Sequence, residues 1–276
     1  MSIYIIAEIG INHNGLLDTA REMIRVAKAC GVDAVKLQKR TVEAVYTAEE
    51  LAKPRESVFG HTNGDLKRGL EFGQAEYEKI FTECKRLGLE CSASCWDAAS
   101  VTFMTQFAPP WLKVPSALLT NQPLLFAYAK TGIPVLLSTG MSTWDEIDAA
   151  VDQLKFRCFP PTLTLLHCHS SYPSPLDELN LACIRSLQER YGLPVGYSSH
   201  SVSPWPCLMA AVYGAEVIEA HLTLSRASWG SDQAASLEPA AFKKMVEEIR
   251  TWEIAKGDGV KRVYDSELPV RAKLRR

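Results

Sequence analysis

A chain of 276 residues that is 47% hydrophobic can bury a large core in one or two domains. Its net charge of −2 argues against the concentrated basic face that nucleic-acid or membrane-surface binding requires. No apolar run reaches the roughly 18 residues of a membrane span, and the segment IYIIA has no charged leader before it, so the cytoplasm is the expected location.

In chain order, the apolar run IYIIAEI (3–9) predicts a buried strand, and LDTAREMIRVAKACG (17–31) repeats its apolar residues at helical spacing. AVKLQ (34–38) predicts the second strand. A long polar connection containing a solvated His61 leads to the helical pattern QAEYEKIFTECKRLG (74–88). Strands are then expected at ECSAS (90–94), WLKVPS (111–116) and PVLLS (134–138), followed by a helix TWDEIDAAVDQL (143–154) capped by Ser142 or Thr143. LTLLHC (163–168), LPVGYS (193–198) and EVIEAH (216–221) bring the strands to eight. The last helix, PAAFKKMVEEIRTWEIAKG (239–257), is expected to start from a Ser236 cap with Pro239 in its first turn. Gly31, Gly88, Gly132 and Gly214 are placed to close helices.

Eight alternations of strand and helix predict an α/β fold, a (β/α)8 TIM barrel over residues 1–258, with 259–276 as a C-terminal extension. A doubly wound open sheet is the alternative, but no GxGxxG follows an early strand. The eight cysteines include no CxxC pair and read as reduced core residues, Cys95 and Cys168 standing out because they fall near strand ends.

In a barrel, catalytic groups collect at the C-terminal strand ends. Those ends carry Glu8, Lys36, Gln38, Ser92, Ser94, Lys113, Ser116, Ser138, Ser170, Ser198 and Glu219. Two lysines and several hydroxyls converging on one mouth suit a phosphorylated or carboxylated ligand, although a single buried lysine more often pairs with a nearby Glu. His200 and His221 end adjacent strands and suit a divalent metal; a lone histidine there is more often a core residue. His167 and His169 flank Cys168, so at most one of them faces the mouth. Asp232 could ligate the metal or orient its water, or only organise a turn.

The motifs AEIGINHNG (7–15), VKLQKR (35–40), LKVPSA (112–117), LLSTGMST (136–143), HCHSSYP (167–173), GYSSH (196–200), EAHLTL (219–224) and GSDQAASLEP (230–239) together closely resemble the sialic acid synthase family. The resemblance implies condensation of phosphoenolpyruvate with an N-acetylmannosamine-like aldose to a 2-keto-3-deoxy acid plus phosphate. By position it implies metal ligation by His200 and His221, to Mn²⁺ or alternatively Mg²⁺ or Co²⁺. It assigns phosphoenolpyruvate to Lys36, Ser94, Lys113, Ser116, Ser138, Ser170 and Ser198, and the sugar to Glu8, Gln38, Tyr172 and Asp232. Glu8, Lys36, Lys113, His221 and Asp232 are the residues expected to carry the chemistry.

Two departures accompany the resemblance. Leu118 stands where the family has an acidic residue near the sugar, and the chain ends at VRAKLRR, where family members continue through a linker into an antifreeze-like domain. Residues 259–276 therefore resemble that linker, with the domain expected to be absent. A homodimer or higher homo-oligomer is expected, or a separate chain that completes the sugar pocket. Another metal-assisted aldolase or isomerase, and a non-catalytic sugar-binding subunit, are the competing functions.

Overall fold

Strand β1 (Tyr4–Gly10) is hydrogen-bonded in parallel on both of its edges, and through it the sheet closes. The structure is a computed structural model that describes residues 2–155 and 163–275. After β1 come α1 (Leu17–Cys30) and β2 (Ala34–Lys39). An excursion then forms α2 (Val42–Val45), α3 (Ala48–Ala52), an antiparallel hairpin of β3 (Pro54–Ser57) and β4 (Gly60–Thr62), and α4 (Asn63–Leu70). The alternation resumes with α5 (Gln74–Leu87), β5 (Glu90–Cys95), α6 (Ala98–Thr105), β6 (Leu112–Val114), α7 (Gln122–Thr131), β7 (Val135–Ser138) and α8 (Trp144–Lys155). It continues with β8 (Leu163–Cys168), α9 (Cys183–Tyr191), β9 (Val195–Ser199), α10 (Trp205–Val212), β10 (Val217–His221), α11 (Pro239–Ala255) and α12 (Leu268–Leu274).

The closed barrel runs β1-β10-β9-β8-β7-β6-β5-β2, every neighbour parallel. All eight strands fall where the apolar runs predict them. Period-two alternation divides their side chains. Outward residues such as Ile5, Val35, Leu112, Leu137, Val195 and Ile218 join the helices in the main core. Inward residues Ile6, Ala34, Trp111, Leu136, Leu166 and Val217 form a separate apolar plug. The next inward residues on those strands are Glu8, Lys36, Lys113, Ser138, Cys168 and Glu219, so the plug underlies a largely polar chamber. Gly196 belongs to this crowded interior, because a Cβ there would meet Val217 O at 2.5 Å and Leu166 Cδ2 at 2.6 Å.

Local chemistry explains most helix ends. Gly31, Gly88 and Gly132 adopt the left-handed conformation that closes α1, α5 and α7, and Gly214 follows the last turn of α10 with φ +98. Of the two residues expected to cap α8, Thr143 does so, through a reciprocal contact with Glu146. The expected Ser236 cap of α11 is not formed. Glu238 is the N-cap residue and contributes no side-chain cap, with Pro239 beginning the helix. Ser236 instead accepts from Asn12 and donates to the Asp232 carbonyl, tying the last loop to the first.

Cys95 is buried in the core, whereas Cys168 reaches the chamber wall. No disulfide forms among the described residues, and Cys158 lies outside them. Residues 254–275 are exposed throughout.

Candidate active site

Strand register assembles the chamber. Glu8 lies opposite Lys36, Ser94 opposite both Gln38 and Lys113, Ser198 opposite Glu219, and His221 opposite Glu8. All of them line one cavity of about 170 Å³, joined by Ser138, Ser116, Ser170, Tyr172 and His200 from neighbouring strand ends and loops.

Four buried charges form its floor. Lys113 Nζ donates to Glu219 Oε1 at 2.6 Å, and Lys36 Nζ lies 3.8 Å from that same oxygen. Lys36 also contacts Glu8 Oε2 at 2.5 Å and donates to Ser94 Oγ at 2.7 Å. Ser198 Oγ donates to Glu219 at 3.1 Å, and Gln38 Nε2 donates to Glu8 Oε1 at 3.1 Å. Both lysines are therefore paired with carboxylates, as a single buried lysine usually is, and the floor is charge-balanced. Burial alone would raise the Glu219 carboxyl, but the Lys113 and Lys36 ammonium groups hold it down to about 2. For Lys113 burial is the larger influence and lowers its pKa against the pull of Glu219.

In the chamber, Ser138 Oγ, Ser170 Oγ, Glu219 Oε2 and His221 Nδ1 are buried without a hydrogen-bond partner in the protein. Unsatisfied polar atoms are rare in folded proteins, and several in one chamber indicate a polar ligand. Gly140 makes room for them: its N–H donates to Ser116 Oγ at 3.2 Å, and a Cβ there would stand 2.4 Å from Ser170 Oγ and 2.7 Å from Cys168 Sγ.

The rings of His200 and His221 lie 5.5 Å apart. His200 Nδ1 donates to the His169 carbonyl at 2.6 Å, which leaves Nε2 as the acceptor, and the Tyr172 hydroxyl donates to it at 2.8 Å. Burial, reinforced by His221, pushes the His200 pKa down to about 3, so the ring is neutral. His221 Nδ1 stands 4.0 Å from Asp232 Oδ2. Among the described residues no group of three His, Cys, Asp or Glu side chains suited to a metal comes together. His167 turns to the Leu179 carbonyl and the His169 ring to Glu178, so of these two only the His169 backbone reaches the site.

The residues expected from the sequence line this cavity, except Ser92, whose buried hydroxyl donates to the Trp111 carbonyl one layer below, and Asp232, whose carboxylate stands 4.0 Å from His221 Nδ1. Leu118 does not line it either; it packs on the core while Ala117 faces the cavity. Sequence reasoning had placed Glu219 at a strand end without giving it a role, and it missed Trp96 and Met141 in the lining. For Glu219 the available signal was its spacing, two residues before His221 on the same inward face.

The NeuB family model matches residues 23–261. The chain is 36% identical to human N-acetylneuraminate-9-phosphate synthase, over 98% of this chain and 76% of that protein. It is 35% identical to N,N'-diacetyllegionaminic acid synthase of Legionella pneumophila, over 100% of this chain and 79% of the relative. Among solved structures, the sialic acid synthetase of Leptospira borgpetersenii serovar Hardjo-bovis in complex with citrate superposes with a TM-score of 0.86 at 31% identity, covering 100% of this chain and 93% of that one. With matches of this extent in both sequence and structure, the chain belongs to the NeuB family of sialic acid and legionaminic acid synthases.

Proposed function

We propose that the protein condenses phosphoenolpyruvate with an N-acetylmannosamine-like aldose, giving a nonulosonic, sialic-acid-type 2-keto-3-deoxy acid and phosphate. The observation that carries this is the pair of unsatisfied hydroxyls, Ser138 and Ser170, above a floor containing Lys36 and Lys113. Phosphoenolpyruvate bears a carboxylate and a phosphate at opposite ends of a small molecule. Lys36 with Ser94 would take the carboxylate, and Lys113 with Ser116, Ser138, Ser170 and Ser198 the phosphate. Because both ammonium groups are already paired, binding must draw them partly away from Glu8 and Glu219.

Carbon C3 of phosphoenolpyruvate then attacks the aldehyde carbon, water adds at C2, and phosphate departs with cleavage of its bond to C2. Gln38, Glu8 and Tyr172 would orient the sugar hydroxyls. Asp232 or the phosphate itself would stabilise the positive charge that develops at C2. The unpartnered His221 Nδ1, with His200 Nε2 once the Tyr172 hydroxyl is drawn away from it, would hold a divalent cation, Mn²⁺ by family resemblance, with Mg²⁺ or Co²⁺ as alternatives. When bound, such a cation supplies Lewis acidity at the aldehyde oxygen. A cytoplasmic location, expected from the composition, and a homo-oligomer, expected from the resemblance, are part of the same reading.

Phosphate release from phosphoenolpyruvate, measured with a panel of aldoses, tests the proposal. Release that depends on an aldose, with a keto-deoxy acid identified by mass spectrometry, is the expected result. No release with any aldose would leave a different metal-assisted aldolase or isomerase as the better reading.

A further inference from the structure

On β5 the inward side chains are Ser92, Ser94 and, just past the strand end, Trp96, while on β2 they are Lys36, Gln38 and then Arg40. The register sets Gln38 opposite Ser94 and Lys39 opposite Cys95, and the Trp96 N–H extends it by donating to the Lys39 carbonyl at 3.0 Å. Arg40 and Trp96 are therefore neighbours one layer above Gln38 and Ser94, and Trp96 lines the chamber. The chain is fixed on the far side of Trp96 as well, because the Asp97 carboxylate accepts from the Thr41 N–H at 2.6 Å and from the Thr41 hydroxyl at 3.0 Å.

The indole is held but not satisfied. The buried Arg40 guanidinium lies over it, 4.4 Å from the ring centre, a cation–π contact that clamps the ring. Arg40 is itself anchored by Glu71, to which Nη1 donates at 3.4 Å, and by Gln38, whose side-chain oxygen accepts from Nη2. The indole Nε1, by contrast, is buried without a hydrogen-bond partner in the protein. That nitrogen can only donate, and a buried donor is rarely left unpaired, so an oxygen of a bound ligand is the partner it fits. Lys36 and Ser94, which would take the carboxylate of phosphoenolpyruvate, lie below Trp96. Gln38, on the side of the sugar, is hydrogen-bonded to the clamp.

We propose that Trp96 is an acceptor-binding residue whose indole N–H donates to one uncharged oxygen of the aldose, and that Arg40 is the positioning residue that holds the indole for it. A neutral donor with no acceptor function favours a hydroxyl or carbonyl oxygen at that point and offers nothing to an ammonium or deoxy position. This rests on the synthase reading above and adds a polar contact to those of Gln38, Glu8 and Tyr172.

The test is consumption of phosphoenolpyruvate by the full chain with the best aldose of the panel and with analogues of it that each lack one oxygen. Trp96→Phe keeps an aromatic ring and deletes the donor. KM for the intact aldose should rise roughly 3- to 10-fold, the scale of one neutral hydrogen bond, with KM for phosphoenolpyruvate unchanged. One analogue should show the same KM with the parent protein and with Trp96→Phe, which identifies the oxygen. Arg40→Ala should also raise KM for the aldose, and Arg40→Lys should recover part of that loss. Arg40→Ala should cost less in the Trp96→Phe protein than in the parent, because part of its effect passes through the indole. An unchanged KM for the aldose in Trp96→Phe, or the same rise with every analogue, overturns the assignment of Trp96, and fully additive losses overturn that of Arg40. Either result leaves the synthase reading intact, whereas absence of phosphoenolpyruvate consumption by the parent with every aldose overturns both.

Discussion

Lys113 and Glu219 face each other across the barrel, from strands four places apart in the eight-strand ring, and meet at 2.6 Å in its centre. The contact exists only when the barrel is closed, and Glu219 also draws Lys36 to 3.8 Å. A single carboxylate therefore organises both ammonium groups of the anion site.

Removing one member of that pair should cost stability as well as function. Glu219→Gln leaves Lys113 buried without its counter-charge, and a broken buried pair costs about 3–5 kcal/mol. The double variant Lys113→Met with Glu219→Gln should recover much of that stability and none of the activity. Urea denaturation alongside phosphate release checks both halves; a fully stable Glu219→Gln protein would show that the pair is structurally dispensable.

The two histidines predict a different pattern. His200→Ala or His221→Ala should abolish turnover while the protein still folds, because both rings, although buried, line the cavity rather than the apolar core. Calorimetric titration of Mn²⁺ should show binding to the parent and none to the double alanine variant. Chelator should silence the parent, and added Mn²⁺ should restore it. Full turnover by the double variant would remove the metal from the scheme.

Much of this architecture is legible from residue order because barrel strands, covered by helices outside and a plug inside, read as short apolar runs with polar ends. Lys36, Lys113, His200 and His221 stand out for that reason. The excursion between β2 and α5 is less legible. Its hairpin pairs only Pro54 with Thr62 and Ser57 with Gly60, too short and exposed for alternation to appear, and the capping boxes Thr47/Glu50 and Thr62/Asp65 organise the flanking helices. The link from Asn12 through Ser236 to Asp232 was hidden as well, since it joins residues more than two hundred positions apart and withdraws Ser236 from the helix cap.

His13 gives a pH dependence that is independent of the reaction. It is buried against Phe72, with ring centroids 4.1 Å apart, and its Nδ1 accepts from the Gly15 N–H at 3.1 Å. Burial pushes its pKa down to about 3 against a hydrogen bond to Gly10 that acts the other way. Between about pH 6.5 and 3 the unfolded chain binds a proton there that the folded chain does not. Stability from this group is therefore complete above about pH 6.5 and falls by about 1.4 kcal/mol for each unit below it, until the folded pKa is reached. His13→Gln should flatten that slope when urea stability is compared at pH 4.5 and 7. An unchanged difference between the two pH values would show that His13 does not resist protonation in the fold.

Gly140 offers the most selective probe of the anion site. A methyl group there would stand 2.4 Å from Ser170 Oγ and 3.0 Å from Ser116 Oγ, so Gly140→Ala must displace both hydroxyls without altering any charge. Gly140 does not have a left-handed backbone, so the substitution adds crowding rather than conformational strain. KM for phosphoenolpyruvate should rise roughly 10-fold or more, the scale of one or two lost hydrogen bonds, while KM for the sugar stays near the parent value. Ser170→Ala introduced into the Gly140→Ala protein should then add little, because the alanine has already moved the hydroxyl that the second change deletes. Independent, additive losses from the two substitutions would instead show that the alanine methyl leaves the Ser170 hydroxyl in place.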